Sequence, residues 1–326
     1  MREAIEWGSG RLRSVRDLTP DIRLFEIEPA SDAFVVPSPG SHINVVVQIG
    51  EKSDIRSYST VGPCADGVYR IAVKRLAGSR GGSAYMWALT PGARLTVSKP
   101  CNHFELGRGR REYLLLAGGI GITPIFSMAL ALAQSGANFR LLYACRRRQD
   151  LALADELREH IGERLHAIVG EEGETLDFAR EIARLAPDGE LYVCGPIGML
   201  EAVKRQWQQS GRRADQLRFE TFGNSGRHAS EVFTVKIPRF NIAFDVPSNQ
   251  TLLEALEAAG VEMISDCRRG ECGLCALPIL ETTGVVDHRD VFFSEAEKAE
   301  NAKLCTCVSR VAGGAITIDT ADRPAQ

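Results

Sequence analysis

Residues Asp266–Cys275 read DCRRGECGLC. Four residues separate Cys267 from Cys272 and two separate Cys272 from Cys275, and a further cysteine follows about thirty residues on, at Cys305 or Cys307. This is the spacing with which thiolates hold a [2Fe–2S] cluster. Soft thiolates suit iron–sulfur chemistry. Three ligands on one short loop must wrap a compact core, so the backbone has to turn sharply. Gly270 and Gly273 permit those turns and let amides approach the sulfurs, where they tune the cluster. The alternative for the same residues is a structural four-thiolate zinc site of Cys272, Cys275, Cys305 and Cys307, which leaves Cys267 idle. The chain has nine cysteines, five of them between Cys267 and Cys307. An odd, clustered set argues for a cytosolic metal site rather than a secreted disulfide scaffold.

Around this loop, Phe233–Ile237 and Ile242–Val246 read as a hairpin, Thr251–Ala259 as a helix stopped by Gly260, and Ala315–Asp319 as a closing strand. GNSGRHAS, Gly223–Ser230, is small and polar and reads as a linker. Upstream of it, from Glu112 to about Phe222, apolar strands alternate with helices. Tyr113–Ala117, Phe139–Ala144, Leu165–Val169 and Leu191–Cys194 read as strands, and Pro124–Gln134, Asp150–His160 and Met199–Gln209 as helices. Such alternation predicts a doubly wound parallel sheet. From Arg11 to about Leu106 the pattern is short β runs between Pro and Gly turns, at Ile22–Ile27, His42–Ile49, Val68–Lys74 and Ala93–Val97. That predicts a small antiparallel barrel. The expected division is therefore a β-barrel over 1–108, an α/β domain over 109–223 and an α+β ferredoxin-like domain over 231–326.

Two further motifs carry chemistry. Leu114–Pro124 reads LLLAGGIGITP, an apolar strand followed by Gly118, Gly119 and Gly121, then Thr123 and Pro124 at a helix start. Glycines there let a pyrophosphate approach the backbone. It lacks the ribose-binding acid of a Rossmann fingerprint, and a tight strand–helix turn would also account for it. Leu191–Pro196, LYVCGP, ends a second strand with Cys194, Gly195 and Pro196. Both strand ends fall on the carboxyl edge of the sheet, where such folds bind ligands. Arg146–Arg148 is a basic run after the strand Phe139–Ala144. In the barrel, Arg56–Ser59 reads RSYS, Ile71–Lys74 reads IAVK and Gly81–Ser83 reads GGS.

The barrel motifs resemble the flavin domain of the ferredoxin reductase superfamily. The resemblance implies that Arg56 pairs with the flavin phosphate, that Tyr58 packs on the isoalloxazine and that Ser59 faces its N5. Ser57 and the strand residues Ala72, Val73 and Lys74 would line the same site, and Gly81, Gly82 and Ser83 would offer amides to the phosphate. GGIGITP and CGP would bracket the nicotinamide, with Cys194 beside the ring and Arg146 near the adenosine ribose. LCTCVSR, Leu304–Arg310, resembles the ferredoxin ending in which the ligand precedes Val, which selects Cys307 over Cys305. The order of the three segments, together with FETFG (219–223), DHRD (287–290) and CVSR, resembles the phthalate dioxygenase reductase and vanillate demethylase reductase-subunit family over nearly the whole chain. It places Phe222 at the cofactor site. Arg268, Arg269, Cys305 and the Arg146–Arg148 run depart from that family's pattern.

This family implies FMN, NADH and a Rieske-type oxygenase as electron acceptor. A hydride carries two electrons and the cluster accepts one at a time, so a flavin is needed between them. Hydride transfer is expected near Ser59, Thr123 and Cys194, and the cluster is expected on Cys267, Cys272, Cys275 and Cys307. The chain lacks the paired Cys-x-His and Cys-x-x-His of a Rieske centre, so a separate oxygenase would act on substrate. The alternatives are an FAD reductase of a di-iron oxygenase, and a non-enzymatic electron carrier or zinc-stabilised binding protein. Composition narrows the rest. A net charge of -3 with mixed signs argues against nucleic acid. No apolar run approaches the ~18 residues of a membrane span. A polar start argues against a signal peptide. A cytoplasmic monomer is the expectation.

Overall fold

The computed structural model describes residues 5–30, 34–50, 52–76, 81–222, 226 and 228–320. Residues 223–225 and 227 of the predicted linker lie outside them. The chain forms two compact units, 1–220 and 221–326.

The first unit holds two sheets. Strands β1 (Trp7–Thr19), β2 (Ile22–Pro29), β3 (His42–Ile49), β4 (Lys52–Ser59), β5 (Tyr69–Lys74) and β6 (Arg94–Ser98) form an antiparallel sheet in the order β4-β3-β6-β1-β2-β5. A bridge between Thr60 and Ile71 brings its two edges together. Inside lie Leu12, Phe25, Ile43, Val45, Tyr69 and Ile71, all buried. Helix α1 (Gly82–Ala88) follows β5. The long β1 was not predicted. Its residues are mostly polar, Leu12 is its one buried large side chain, and two register shifts against β2 break the alternation that marks a strand.

The second sheet is parallel, in the order β11-β10-β7-β8-β9, from β7 (Tyr113–Gly118), β8 (Phe139–Cys145), β9 (Leu165–Val169), β10 (Glu190–Cys194) and β11 (Leu217–Glu220). Every residue of β7 and β10 is buried, as expected for strands covered on both faces. Helices α2 (Ile122–Gln134), α3 (Ala154–Ile161), α4 (Phe178–Arg184) and α5 (Ile197–Gln209) accompany it. Helix α3 starts at Ala154, later than the predicted Asp150, because Leu153 adopts a left-handed φ of 63° that a helix cannot pass through. One core joins the two sheets. Ile22, Leu24, Val61 and Ala72 of the barrel pack with Phe126, Tyr143 and Cys194 of the α/β layer. Arg70 grips Glu156 with two bonds of 2.8 and 2.9 Å across this seam.

The second unit is a five-stranded mixed sheet in the order β13-β12-β18-β14-β16. Its strands are β12 (Phe233–Ile237), β13 (Ile242–Val246), β14 (Ala276–Thr282), β16 (Lys303–Cys305) and β18 (Ala315–Ile318), with a separate pair β15 (Val285–Asp287) and β17 (Arg310–Ala312). Helices α6 (Leu252–Ala258) and α7 (Glu295–Glu300) each open on a capping box, Thr251 with Glu254 and Ser294 with Glu297. Gly260, at φ 76°, ends the α6 turn as predicted.

Candidate functional site

The cysteine loop, between α6 and β14, turns three times through left-handed backbone, at Arg268 (φ 51°), Gly270 (φ 76°) and Gly273 (φ 73°). A Cβ at Gly270 would stand 2.6 Å from Val308 and 2.9 Å from the Asp290 Cα, and one at Gly273 would enter the Phe292 ring. The loop is thus moulded against its surroundings and admits only glycine at those two turns. The turns aim the amides of Arg269, Glu271 and Cys272 at the Cys267 sulfur, each at 3.4 Å. Three amides converging on one sulfur are the hydrogen bonding that tunes an iron–sulfur ligand. The sulfurs fall into two groups. Cys272 bonds with Cys267, while Cys305 and Cys307 both bond to Cys275. Those bonds hold the Cys275 thiol far below its ordinary value, and the same bonds, with burial, push Cys305 and Cys307 up. Cysteine sulfurs gathered from two separate segments are the donor chemistry of a two-iron cluster. The donor set fits the cluster.

Cys305 and Cys307 do not share one strand face. Strand β16 ends at Cys305, and the next residues turn, with the amides of Val308 and Ser309 returning to the Cys305 carbonyl at 3.3 and 2.9 Å. The chain bends here and brings Cys307 back to Cys275. Thr306 fixes that bend, its hydroxyl and amide both donating to the Cys275 carbonyl, at 2.9 and 3.2 Å. The departures Arg268 and Arg269 are paired locally, with Glu257 at 2.5 Å and Glu271 at 3.3 Å.

In the barrel, Arg56 lies beneath α1. Its stem fills the place of a side chain at Gly82, where a Cβ would meet Nε at 2.7 Å. Gly81, at φ 97°, would strike Ile49 at 2.6 Å. Arg56 and Gly81–Gly82 are therefore neighbours, as a phosphate cradle requires. Arg56 also pairs with Asp54 at 2.5 Å and donates to the Ile55 carbonyl. Neither partner was predicted from sequence. Ser57 donates to Asn44 at 2.6 Å, directly across from it on β3. Burial raises the Tyr58 phenol above its ordinary value, so its ring stays neutral. Ala72 and Val73 are buried, and Lys74 pairs with Asp21 at 3.2 Å. The Ser83 hydroxyl accepts from the Leu76 amide at 3.4 Å.

The two glycine motifs meet at the carboxyl edge of the parallel sheet. Ala117 and Cys194 are in register on β7 and β10. A Cβ at Gly118 would stand 2.7 Å from Pro196, one at Gly195 would stand 3.1 Å from the Gly118 Cα, and one at Gly121 would clash with the Cys194 carbonyl. Thr123 and Pro124 lie in the first turn of α2, and the Thr123 hydroxyl donates to the Ile120 carbonyl at 3.0 Å. Thr123, Cys194 and Ser59 are buried. One turn beyond Thr123, Ser127 donates to the Thr60 carbonyl at 3.0 Å and accepts from the Gly62 amide at 3.2 Å. The end of the RSYS strand and the start of α2 are thereby tied together. Gly119 takes a φ of 55°, and nothing stands within 4 Å of its Cβ position. Arg147 and Arg148 are paired with Asp150 and Glu172, whereas Arg146 is exposed and has no acidic partner among the described residues. Phe222, exposed, begins the second unit just beyond β11.

A parallel sheet with this glycine edge, an antiparallel barrel and cysteines converging from two segments define a pyridine-nucleotide-dependent flavin and iron–sulfur reductase. Residues 115–205 match the oxidoreductase NAD-binding domain, and residues 235–312 match the 2Fe-2S iron-sulfur cluster binding domain. The chain belongs to the phthalate dioxygenase reductase family of oxygenase reductase subunits. The crystal structure of phthalate dioxygenase reductase, described as a modular structure for electron transfer from pyridine nucleotides to [2Fe-2S], is 30% identical with a TM-score of 0.75, over 96% of this chain and 98% of that one. The beta subunit of a heme-dependent oxidative N-demethylase from Ectopseudomonas mendocina is 36% identical over 95% of this chain and 97% of its own. A vanillate O-demethylase oxidoreductase from Acinetobacter baylyi is 34% identical over 95% and 98%. The zinc-site and non-enzymatic alternatives are overturned by the two domain matches.

Proposed function

We propose that this chain is the cytoplasmic, monomeric reductase component of a two-component Rieske-type oxygenase or demethylase. It takes electrons from NADH and passes them through FMN and a [2Fe–2S] cluster to the oxygenase. The observation that carries this reading is the paired cysteine cage within a chain that matches an oxygenase reductase end to end. Residues 1–108 would hold FMN, 109–223 the nicotinamide and 231–326 the cluster. The flavin supplies the conversion of a two-electron donor into single electrons. The protein holds and spaces the groups. Arg56, with Gly81, Gly82 and Ser83, takes the phosphate; Ser57, Tyr58, Ser59, Ala72, Val73 and Lys74 line the flavin. Gly118, Gly119, Gly121, Thr123, Pro124, Cys194, Gly195 and Pro196 form the nicotinamide seat, with Arg146 toward the ribose, and Phe222 is a further cofactor-binding residue. No side chain acts as a nucleophile or general base. The test is to extract the flavin for mass analysis, then mix the NADH-reduced protein with a purified Rieske oxygenase and, separately, a haem oxygenase. FMN and faster reduction of the Rieske centre are expected; FAD, or preference for haem, overturns the corresponding part.

Coenzyme choice follows from the paired arginines. A 2′-phosphate is best held by several cationic donors together, but Arg147 and Arg148 are committed to Asp150 and Glu172, which leaves Arg146 alone of the three. The ratio of kcat/KM should favour NADH over NADPH by roughly tenfold or more, about 1.4 kcal/mol. Glu172→Ala, which frees Arg148, should narrow that ratio. A wild-type preference for NADPH would be wrong for this reading.

We assign the fourth ligand to Cys307. Only one of the two nearby thiolates can complete four-thiolate ligation with Cys267, Cys272 and Cys275. Serine is nearly isosteric but a harder ligand. Cys307→Ser should lose or alter the cluster spectrum, and Cys305→Ser should keep it with a small shift in potential. The reverse pattern would move the ligand to Cys305.

A further inference from the structure

The DHRD segment, residues 287–290, lies beside the cysteine loop and has no part in the electron path described above. Asp290 is completely buried. One carboxylate oxygen accepts from the Phe293 amide at 3.0 Å, and the other accepts from the Ser309 hydroxyl at 3.1 Å. Ser309 is two residues beyond Cys307, and its hydroxyl also accepts from the Arg289 amide at 3.2 Å. On the other side, the Val291 amide donates to the Gly270 carbonyl at 2.9 Å. Asp290, with Val308, crowds the place a side chain would take at Gly270. Residues 289–293 therefore bridge the two separate segments that carry the cysteines.

Most of the charged side chains around the carboxylate are bonded to other groups. Arg289 is bound to Asp287 at 2.8 Å, to Ser230 and to the His228 carbonyl. Lys298 donates to the Asp290 backbone carbonyl at 2.7 Å. Arg310 donates to the carbonyls of Gln250, Glu231 and Pro247. Arg268 and Arg269 are paired with Glu257 and Glu271. The His288 ring is 3.6 Å away. Burial pushes the Asp290 carboxyl up, but His288, the Phe293 amide and the Lys298 charge outweigh it and hold the group below the usual carboxylate range. It is ionised at neutral pH.

We infer that Asp290 is a positioning residue of the cluster cage that also sets the cluster's reduction potential. The inference rests on the ligand assignment above. One-electron reduction adds one negative charge to the cluster, the electron coming from NADH through the flavin. A fixed anion in a low-dielectric interior opposes that added charge, and cluster potentials follow local charge and hydrogen bonding. Asp290 thus keeps the potential low, which favours onward delivery of the electron.

The test uses the full-length protein, with cluster content measured by iron and sulfide assay and the midpoint potential by EPR-monitored titration. Asp290→Asn keeps a polar group of the same shape and removes the charge. It should raise the potential, with at least a tenfold larger reduced-to-oxidised ratio at fixed potential, about 59 mV for a one-electron couple. Lys298→Gln removes the opposite charge and should lower it. Ser309→Ala removes two hydrogen bonds and no charge, and should leave the potential near wild type while speeding cluster loss in chelator. An unchanged potential in cluster-loaded Asp290→Asn overturns the inference. If that variant fails to load, the anchoring role stands and the direction of Lys298→Gln decides the charge role. Absence of a cluster signal from the wild-type protein would instead overturn the ligand reading on which all of this depends.

Discussion

Cys275→Ser is expected to abolish the visible absorbance and EPR signal of the cluster while leaving the flavin bound and reducible by NADH. Cys275 is buried between the two cysteine segments, and the bonds of Cys305 and Cys307 both end on its sulfur. Its carbonyl also receives both donors of Thr306. A harder oxygen at that centre removes a ligand and loosens the convergence of the others. The barrel and the parallel sheet belong to the other compact unit, so flavin reduction should continue. Reduction of an added one-electron protein acceptor should fall to the background of direct flavin oxidation. A variant that keeps a full cluster would sink the assignment.

Arg56→Ala is expected to weaken FMN affinity by roughly ten- to a hundredfold. Charge-assisted bonds to a phosphate contribute ~1.5–3 kcal/mol, and 1.4 kcal/mol is about tenfold in affinity. Asp54 qualifies the size of the effect. Its carboxylate holds the same guanidinium at 2.5 Å, so it orients Arg56 and also competes with the phosphate. Asp54→Asn provides the complementary measurement, because removing the competitor should tighten FMN or leave it unchanged. Unaltered flavin content and affinity in Arg56→Ala would place the phosphate elsewhere.

The three segments were legible because each writes its architecture in a different period. The apolar run Leu114–Leu116 and the following glycines mark a strand covered on both faces and its turn. The barrel strands alternate, and the cysteine spacing is a covalent constraint that side-chain patterns cannot blur. What stayed hidden depended on partners remote in sequence. Asn44 answers Ser57, Ser127 answers Thr60, and Ser309 answers Asp290. A serine or asparagine carries no local sign of which distant group it will meet. Strand β1 was missed for the related reason that a strand dominated by polar side chains lacks the alternation used to find it. The bend after Cys305 was missed because LCT continues a plausible strand until Thr306 captures the Cys275 carbonyl.

The core that Ile22, Leu24, Val61 and Ala72 share with Phe126 and Tyr143 has a consequence for recombination. A join near residue 108 would cut through one apolar interior and the Arg70–Glu156 clasp, exposing side chains that have no other cover. A join after Glu220 separates two interiors that are each complete. Exchange of the iron–sulfur module between reductases therefore leaves each interior whole, whereas exchange of the flavin module alone demands a refitted partner.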